Sequence, residues 1–176
     1  MTGAIVGISG SPSVNSRSRI LLAEVVAQVA AATGQAGQVI DLSDLDADAL
    51  LARRSDAAVA AAIASVTAAK IVVIATPIYR ATYTGLLKVF LDLFPQAALR
   101  GSVVGLIATG AGSGHSLAID HGLRPVVASL AGLSAANALY VTDSQFPDKA
   151  VIPADVAANV TALVTELRAL ARSTAV

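Results

Sequence analysis

Five serines and one arginine lie close together around a glycine at position 10. They are Ser9, Ser11, Ser13, Ser16, Arg17 and Ser18. An apolar stretch precedes them and an amphipathic helix is predicted to follow, so the segment is a strand-to-helix turn. Such a turn presents free backbone N–H groups and the positive end of the helix dipole, and the side chains add further donors. Serines also cap helices, but this cluster exceeds what one cap needs, so we expect a phosphate monoester to bind here.

Two common nucleotide-binding patterns are absent from this turn. It has no GxxxxGK sequence, so hydrolysis of a nucleoside triphosphate is not expected. It also has no GxGxxG sequence, so a tightly bound dinucleotide is not expected at this position. The terminal phosphate of a smaller cofactor fits the turn better.

Two further segments have residues suited to a planar ring. Residues 76–84 carry two tyrosines in a chain with only 3% aromatic residues, and residues 109–115 are rich in glycine and serine. The first segment offers an aromatic ring and a cation on a proline-restrained backbone, and the second offers backbone donors. The candidate residues for contact with a ring are Pro77, Tyr79, Arg80, Thr109 and Gly110. A phosphate site combined with a site for a flat heterocycle describes FMN.

The composition restricts the class of protein. The 176 residues are 55% hydrophobic, with a mean hydropathy of +0.71, yet no apolar run reaches the roughly 18–20 residues of a membrane-spanning helix. The net charge of zero gives no support to nucleic-acid binding, and the absence of cysteine excludes thiolate metal sites and cysteine nucleophiles. No secretory signal pattern opens the chain. We therefore expect a cytoplasmic protein with no membrane partner, no nucleic-acid partner and no metal site.

Apolar strands and amphipathic helices are predicted to alternate along the whole chain. The strands are expected at residues 4–8, 38–42, 71–75, 103–108 and 136–141. The helices are expected at residues 16–32, from Ser55 or Asp56 to Ala69, around residues 86–94, from after residue 115 to 130, and after Pro153. No repeat or linker interrupts this order, so residues 1–176 are expected to form one domain.

This alternation predicts right-handed βαβ units and an α/β fold with a doubly wound parallel sheet. Five strands suit the flavodoxin-like order 2-1-3-4-5 better than a six-stranded dinucleotide-binding fold. In such sheets, ligands bind at the carboxyl ends of the strands, where the strand order reverses between the first and third strands. The three polar segments follow the first, third and fourth predicted strands, so we expect them to meet at one site.

Several motifs resemble those of the NAD(P)H-dependent FMN reductases, over roughly residues 4–147. They are Gly10-Ser-Pro with Ser-Arg-Ser18, Ala75-Thr-Pro-Ile-Tyr-Arg80, Tyr83-Thr-Gly-Leu-Leu-Lys88, Ala108-Thr-Gly110, Leu117-Ala-Ile-Asp-His-Gly-Leu-Arg-Pro125 and Asp143-Ser-Gln145. The chain is most similar to the flavin reductase component of two-component alkanesulfonate and methanesulfonate monooxygenase systems. The resemblance implies a homodimer or homotetramer that uses NADPH or NADH to reduce FMN. It also implies that reduced FMN passes to a separate FMNH2-dependent monooxygenase.

The resemblance implies roles for single residues. It assigns the FMN phosphate to Ser11, Ser16, Arg17 and Ser18, one side of the isoalloxazine to residues 77–80, and the other edge to Thr109 and Gly110. Ser13 stands where many members of the family carry an arginine, which implies weaker binding of FMN.

His121 matches a residue that one branch of the sulfonate-system reductases carries as an insertion. In those reductases the insertion creates a π-bulge at the tetramer interface and accompanies the use of flavin as a dissociable substrate. Single-turn π-bulges also concentrate at functional sites in general. The alternative is a surface histidine that pairs with Asp120 or with a partner chain.

Hydride transfer from a nicotinamide to a flavin needs little acid–base help from the protein, so no general acid or base is predicted. The protein must stack the two rings and stabilise the negative charge that develops at the flavin N1/O2 edge. Backbone donors at residues 109–111 are the candidates for that charge. Arg80, Arg100 and Arg124 are the candidates for the phosphates of the nicotinamide dinucleotide.

Three other functions stay open from the sequence. The same fold could retain FMN as the prosthetic group of a quinone, azo or chromate reductase. A flavodoxin-type electron-transfer module is a second alternative, although the zero net charge and Arg17 count against it. A serine hydrolase using Ser113 with His115 or His121 is a third, but Ala111 breaks the GxSxG pattern that it requires.

Overall fold

A computed structural model describes residues 4–174 and contains one seven-stranded sheet. Its strands are β1 (Ile5–Ser9), β2 (Gly37–Asp41), β3 (Ile71–Tyr79), β4 (Thr82–Tyr83), β5 (Val103–Gly110), β6 (Leu133–Ser134) and β7 (Leu139–Thr142). The path through the sheet is β2-β1-β3-β5-β6, and β7 also pairs with β5 in parallel. Counted over the five predicted strands, this order is 2-1-3-4-5, so the doubly wound, flavodoxin-like fold is confirmed.

Helices cover both faces of this sheet. They are α1 (Arg17–Thr33), α2 (Ala47–Leu50), α3 (Ala57–Thr67), α4 (Gly85–Leu91), α5 (Arg124–Ser129) and α6 (Ala154–Ser173). Helices α1 and α6 pack on one face, and α2, α3, α4 and α5 pack on the other. The side chains of β1 and β5, and all but the last residue of β3, are buried. Burial on both faces explains why these strands are almost continuously apolar.

Two predicted helix ends are confirmed by their capping contacts. The Asp56 side chain accepts the N–H groups of Ala58 and Val59 at 2.9 and 3.1 Å, which caps the first turn of α3. Gly34 ends α1 in the left-handed region with a φ of 68°, and its N–H donates to the Ala30 carbonyl.

Three strand boundaries differ from the sequence prediction. Strand β3 continues to Tyr79 and β5 to Gly110, so residues 76–79 and 109–110 are extended rather than loop. The parallel neighbours explain the extension, since Pro77 pairs with Thr109 and Gly110 with Thr142. Strand β7 begins only at Leu139, because the backbone N–H groups of residues 136 and 137 donate to the Glu166 carboxylate instead of to a strand.

The helix expected between residues 115 and 130 is divided. A 3₁₀ turn covers Ser113–His115, a π-helix covers Ile119–Leu123, and only Arg124–Ser129 is α-helical. Another 3₁₀ turn, Leu42–Asp44, follows β2. Within residues 4–174, no helix combines the length and apolarity that a membrane crossing needs, and no group of three His, Cys, Asp or Glu residues is placed to hold a metal ion.

Strands β3 and β4 form a tight antiparallel hairpin at the carboxyl edge of the sheet. Tyr79 pairs with Thr82, which leaves Arg80 and Ala81 as a two-residue turn with φ angles of 51° and 69°. Positive φ at both central residues is the type I′ geometry that suits the twist of a hairpin. The sequence carries no glycine there, so the hairpin holds two L-residues in a conformation that costs roughly 1–2 kcal/mol each.

Candidate functional site

A cleft of about 390 Å³ lies where β1, β3, β5 and β7 end. Parallel sheets of this type bind ligands at this edge, and the volume is in the range of small-molecule sites. Nine of the predicted site residues line it: Ser11, Ser16, Arg17, Pro77, Ile78, Tyr79, Thr109, Gly110 and Ala111. The fold therefore brings these residues together in one cavity. They are far apart in the chain, and all of them lie at the end of a strand or just after it.

A larger groove of about 860 Å³ lies elsewhere, between α1, Val39 of β2 and residues 150–152. It is more open and mostly apolar, and it lies away from the strand ends that form the other cleft. We take the smaller cleft as the candidate active site, because its hydroxyls, backbone amides and charged groups converge on one volume.

The amino terminus of α1 forms the first wall of the cleft. Ser16 precedes the helix with extended backbone angles, and its side chain does not cap α1. Its hydroxyl instead contacts that of Ser18 at 2.7 Å. The first N–H groups of a helix have no partner within it, and the first turn of α1 carries no acidic side chain to neutralise them. The arrangement offers several donors and a positive helix end to an anion.

Ser9 and Gly10 lie directly beneath this wall. The Gly10 N–H donates to the Ala75 carbonyl at 2.8 Å, and the Gly10 carbonyl accepts the hydroxyl of Thr84 at 2.6 Å. A Cβ on Gly10 would lie 2.8 Å from the Cβ of Leu87, so only glycine fits between β3 and α4. The Ser9 hydroxyl is buried and has no hydrogen-bond partner within the described part of the chain. A buried polar atom of this kind marks a place where a ligand or a water can supply the missing bond.

The β3–β4 hairpin forms the second wall. Pro77 and Ile78 are buried, whereas the Tyr79 side chain is 49% exposed and stands at the mouth of the cleft. Arg80 does not line the cleft, because it occupies the exposed turn beyond it. The wall therefore presents a restrained apolar surface next to one exposed aromatic ring, which suits the edge of a planar ligand.

The end of β5 forms the third wall, and Tyr140 of β7 holds it in place. The Tyr140 hydroxyl donates to the Gly112 carbonyl at 2.6 Å. A Cβ on Gly110 would overlap this hydroxyl, so the close approach requires glycine at position 110. Burial and the nearby Asp143 carboxylate both raise the pKa of Tyr140, which keeps the hydroxyl protonated as a donor.

Ser13 of the predicted serine cluster also lines the cleft, together with Asn15, Asp143 and Lys149, and the last three are not among the predicted site residues. The Asp143 carboxylate lies 3.0 Å from Nη1 of Arg17, and the Lys149 ammonium donates to the Asn15 carbonyl. One signal was available for Asp143, since it follows the last strand at the same edge of the sheet. Nothing in the sequence pattern distinguished Asn15 or Lys149 from other exposed polar residues.

Three other predicted residues lie behind or beside the cleft rather than in its lining. Ser9 and Ser18 are buried beneath it, and His121 lies in the π-helix. The His121 side chain is exposed and makes no hydrogen bond within the described part of the chain. Asp120 pairs with Arg124 at 2.7 Å and not with His121.

The π-helix packs against the β3–β4 hairpin through its glycine. A Cβ on Gly122 would lie 3.2 Å from both the Thr82 hydroxyl oxygen and Cδ1 of Tyr83. The hairpin that carries Tyr79 at its other strand therefore rests on the π-helix that contains His121.

The structure separates the three arginines considered for a nicotinamide dinucleotide. All three nitrogens of the Arg124 guanidinium make contacts, because besides Asp120 it donates to the carbonyls of residues 135 and 136. Arg100 precedes β5 and therefore lies at the opposite edge of the sheet from the cleft. Arg80 alone of the three lies beside the cleft with an exposed side chain.

Comparisons with known proteins show the family to which this chain belongs. Residues 4–148 match the family of NADPH-dependent FMN reductases. An FMN reductase (NADPH) from Pseudomonas putida is 36% identical over 142 residues, which cover 80% of this chain and 72% of that protein. An NADH-dependent FMN reductase, SfnE, from Pseudomonas putida is 31% identical over 159 residues, covering 89% and 86%. The solved apo form of the NADH:FMN oxidoreductase EmoB is 39% identical, with a TM-score of 0.86 over 98% of this chain and 90% of that one.

The family match spans most of the chain and includes every strand that ends at the cleft. The relatives' names divide between NADPH and NADH, and all name FMN as the flavin. The chain belongs to the NADPH-dependent FMN reductase family and is an NAD(P)H-dependent FMN reductase.

Proposed function

We propose that this reductase binds FMN as an exchanging substrate and delivers the reduced flavin to a separate FMNH2-dependent monooxygenase. The observation that carries the proposal is the contact between the π-helix and the β3–β4 hairpin, where Gly122 lies against Tyr83. π-Helices are rare and occur frequently at functional sites. Here the π-helix supports one wall of the cleft, and a rearrangement at this contact would let FMN enter and leave in every cycle.

The residues of the cleft fit FMN. The phosphate is assigned to the amino terminus of α1, with the N–H groups of that turn, the hydroxyls of Ser11 and Ser16, and the guanidinium of Arg17 as donors. Ser18 contributes its backbone N–H, because its side chain is buried against Ser16. The unpartnered hydroxyl of Ser9, directly beneath this turn, supports the assignment.

The isoalloxazine is assigned to the other two walls. Residues Pro77, Ile78 and Tyr79 are proposed to lie along one side of the ring, with Arg80 at the exposed end. The backbone N–H groups of Thr109, Gly110 and Ala111 are proposed to face the flavin N1/O2 edge, where they would stabilise negative charge.

Bound FMN supplies the hydride-accepting ring, which is chemistry that no side chain possesses. The hairpin and the end of β5 would orient that ring so that the nicotinamide can reach it. The Tyr140 hydroxyl stays protonated and fixes the Gly112 carbonyl, which keeps the backbone of residues 109–111 in place. Arg80 is the proposed contact for the phosphates of the dinucleotide.

The motif resemblance supports a role in the assimilation of sulfur from sulfonates, with a sulfonate monooxygenase as the acceptor of reduced FMN. A homodimer or homotetramer and a cytoplasmic location stay predictions of the sequence. The structure of EmoB, which is similar to this chain, was solved in an apo form, and this supports a flavin site that can be emptied without loss of the fold.

Gel filtration followed by an activity assay tests the exchange. The purified protein is expected to be colourless and to oxidise NADH or NADPH only when free FMN or riboflavin is added, with saturation in the flavin. A yellow protein that keeps stoichiometric FMN through the column would overturn the proposal in favour of a flavin-retaining quinone or azo reductase. Oxidation that never depends on added flavin would overturn it equally.

Deletion of His121 tests the role of the π-helix. Removing one residue from a π-helix allows the regular α-helical hydrogen bonding to form across the deletion. We expect the deleted protein to retain FMN on gel filtration and to turn over added FMN more slowly. His121→Ala is the matched control, because it keeps the number of residues, and it is expected to remain colourless. Retention of FMN by both variants would mean that the imidazole of His121, and not the π-helix, controls exchange.

A further inference from the structure

The guanidinium of Arg17 is already engaged by the protein itself. Its Nη1 lies 3.0 Å from Oδ1 of Asp143, and its Nε donates to the Phe146 carbonyl at 2.5 Å. A guanidinium has five N–H donors, so these two contacts leave others free while Asp143 neutralises much of the charge. Both side chains line the cleft that is assigned to FMN.

Asp143 is held in this position by a well-bonded turn. Its backbone N–H donates to the Gly110 carbonyl at 3.0 Å, which ties it to the end of β5. The Thr142 hydroxyl lies 3.0 Å from both the Ser144 hydroxyl and the Gln145 side-chain oxygen, so the residues on both sides are also fixed. The carboxylate therefore faces the amino terminus of α1 as a permanent feature of the fold.

A carboxylate at this place opposes the binding of a phosphate. It repels a second anion in the cleft, and it occupies the cation that the phosphate would use. The pair is partly exposed, with 22% of the Arg17 side chain and 53% of the Asp143 side chain accessible, so the ion pair is weak enough for a phosphate to displace. The other cation that lines the cleft, Lys149, is directed to the Asn15 carbonyl.

We propose that Asp143 competes with the FMN phosphate for Arg17 and thereby sets a low affinity for FMN. The inference rests on the proposed function, in that the phosphate lies at the amino terminus of α1. Asp143 acts through Arg17, so it is a positioning residue that tunes release of the flavin. The affinity for a flavin without a phosphate does not depend on Asp143.

A role of Asp143 in supporting FMN binding predicts a change in affinity of the opposite sign. If Asp143 instead orients Arg17 towards the phosphate, removal of its charge will loosen the guanidinium and weaken the binding of FMN. The sign of the change in affinity therefore distinguishes competition from support.

Equilibrium titration of Asp143→Asn with FMN and with riboflavin tests the proposal. At low ionic strength we expect the Kd for FMN to fall about fivefold, which corresponds to ~1 kcal/mol, while the Kd for riboflavin changes by less than about twofold. Asp143→Glu keeps the charge and is expected to bind FMN like the wild type. Asp92→Asn is the matched control, since it removes the same charge from an exposed ion pair with Lys88 outside the cleft.

A weaker or unchanged affinity of Asp143→Asn for FMN would overturn the proposal, as would equal tightening for both flavins. If Asp143→Asn is too unstable for the titration, Asp143→Ser replaces it, and its Kd for FMN is also expected to fall. In the Arg17→Ala background, Asp143→Asn is expected to gain less affinity for FMN than in the wild-type background, because only the direct repulsion between carboxylate and phosphate is then relieved. An equal gain in both backgrounds would show that Asp143 does not act through Arg17. If Arg17→Ala weakens FMN and riboflavin equally in the wild-type background, the phosphate assignment itself fails, which is a separate result.

Discussion

Gly122 lies so close to Tyr83 that a Cβ at position 122 would come within 3.2 Å of Cδ1 and 3.3 Å of Cε1 of the tyrosine ring. Gly122 belongs to the π-helix and Tyr83 to the short strand of the β3–β4 hairpin. The two elements are far apart in the chain, and their contact fixes where the hairpin stands over the cleft. Any side chain at position 122 must displace the hairpin or the π-helix.

Gly122→Val is therefore expected to lower the free energy of unfolding by about 1–3 kcal/mol, as overpacking of a tight contact does. The displaced hairpin also carries Tyr79, so we expect the KM for FMN to rise. Gly85→Val is the control, because no atom lies within 4 Å of a Cβ at that position. Denaturant unfolding and steady-state kinetics measure the two effects, and similar behaviour of both variants would contradict the packing argument.

Arg17→Ala is expected to raise the KM for FMN about tenfold and to leave that for riboflavin nearly unchanged. The reason is that a charge-assisted hydrogen bond to a phosphate is among the stronger polar contacts, and riboflavin has no phosphate. Arg19→Ala, two residues further along α1 and paired with Asp41 outside the cleft, is the control. Assays with both flavins check the prediction, and an equal rise for both would mean that Arg17 does not bind the phosphate.

Ala81→Gly is expected to stabilise the protein by about 1 kcal/mol, because glycine adopts the positive φ of 69° at this turn without the cost that alanine has. The same substitution at Ala60, an exposed position inside α3, is expected to destabilise by about the same amount. Thermal or urea unfolding measures both. Destabilisation by Ala81→Gly would mean that the hairpin turn is not held in the left-handed region in solution.

Glu166→Gln is expected to reduce stability at neutral pH by about 1 kcal/mol, since the carboxylate accepts the N–H groups of Ala136 and Asn137 at 2.6 and 2.8 Å. Burial raises the pKa of Glu166, but these N–H groups and Arg124 lower it by more, so the pKa lies below its usual value of 4.5. A lowered pKa stabilises the fold above pH 4.5 and loses that effect as the pH falls through the folded-state pKa.

The difference in unfolding free energy between wild type and Glu166→Gln is therefore expected to be full at pH 7 and to shrink below pH 4.5. Urea unfolding at pH 7, 5 and 3.5 measures it. Glu24→Gln, whose carboxylate accepts only from Gln28 one turn along α1, is the control and is expected to show a smaller difference at every pH. A difference that grows as the pH falls would contradict the assignment.

The strands were predicted correctly where a continuous run of apolar residues determines the structure. The apolar run at residues 71–75 is buried on both faces, and hydrophobic burial alone places it in the centre of a parallel sheet. Prediction failed at the ends of the same strands. Residues 76–79 were predicted as part of a loop that contains Pro77, and proline cannot donate to the hydrogen bonds of a sheet. The other three residues of this segment favour strands, and pairing with β5 and β4 keeps the segment extended.

The candidate site also has one part that the sequence predicted and another part that it did not. Whether a residue follows a strand can be predicted from the local sequence. That property identified the hydroxyls of the first turn and residues 109–111 as candidate site residues. The partners of Arg17 are not local, because Asp143 and Phe146 lie more than a hundred residues along the chain. Lys149 and Asn15 likewise join the cleft through one contact between distant segments.

Sequence alone thus predicted the fold class, the edge of the sheet that carries the candidate site, and the flavin chemistry, since these follow from hydrophobic periodicity and from motifs contained in single segments. The folded chain established which charges meet in the cleft, which arginines are already engaged, and how the hairpin rests on the π-helix through Gly122 and Tyr83. Those features depend on distances of 3 to 4 Å between separate elements, and the packing of the whole core sets such distances.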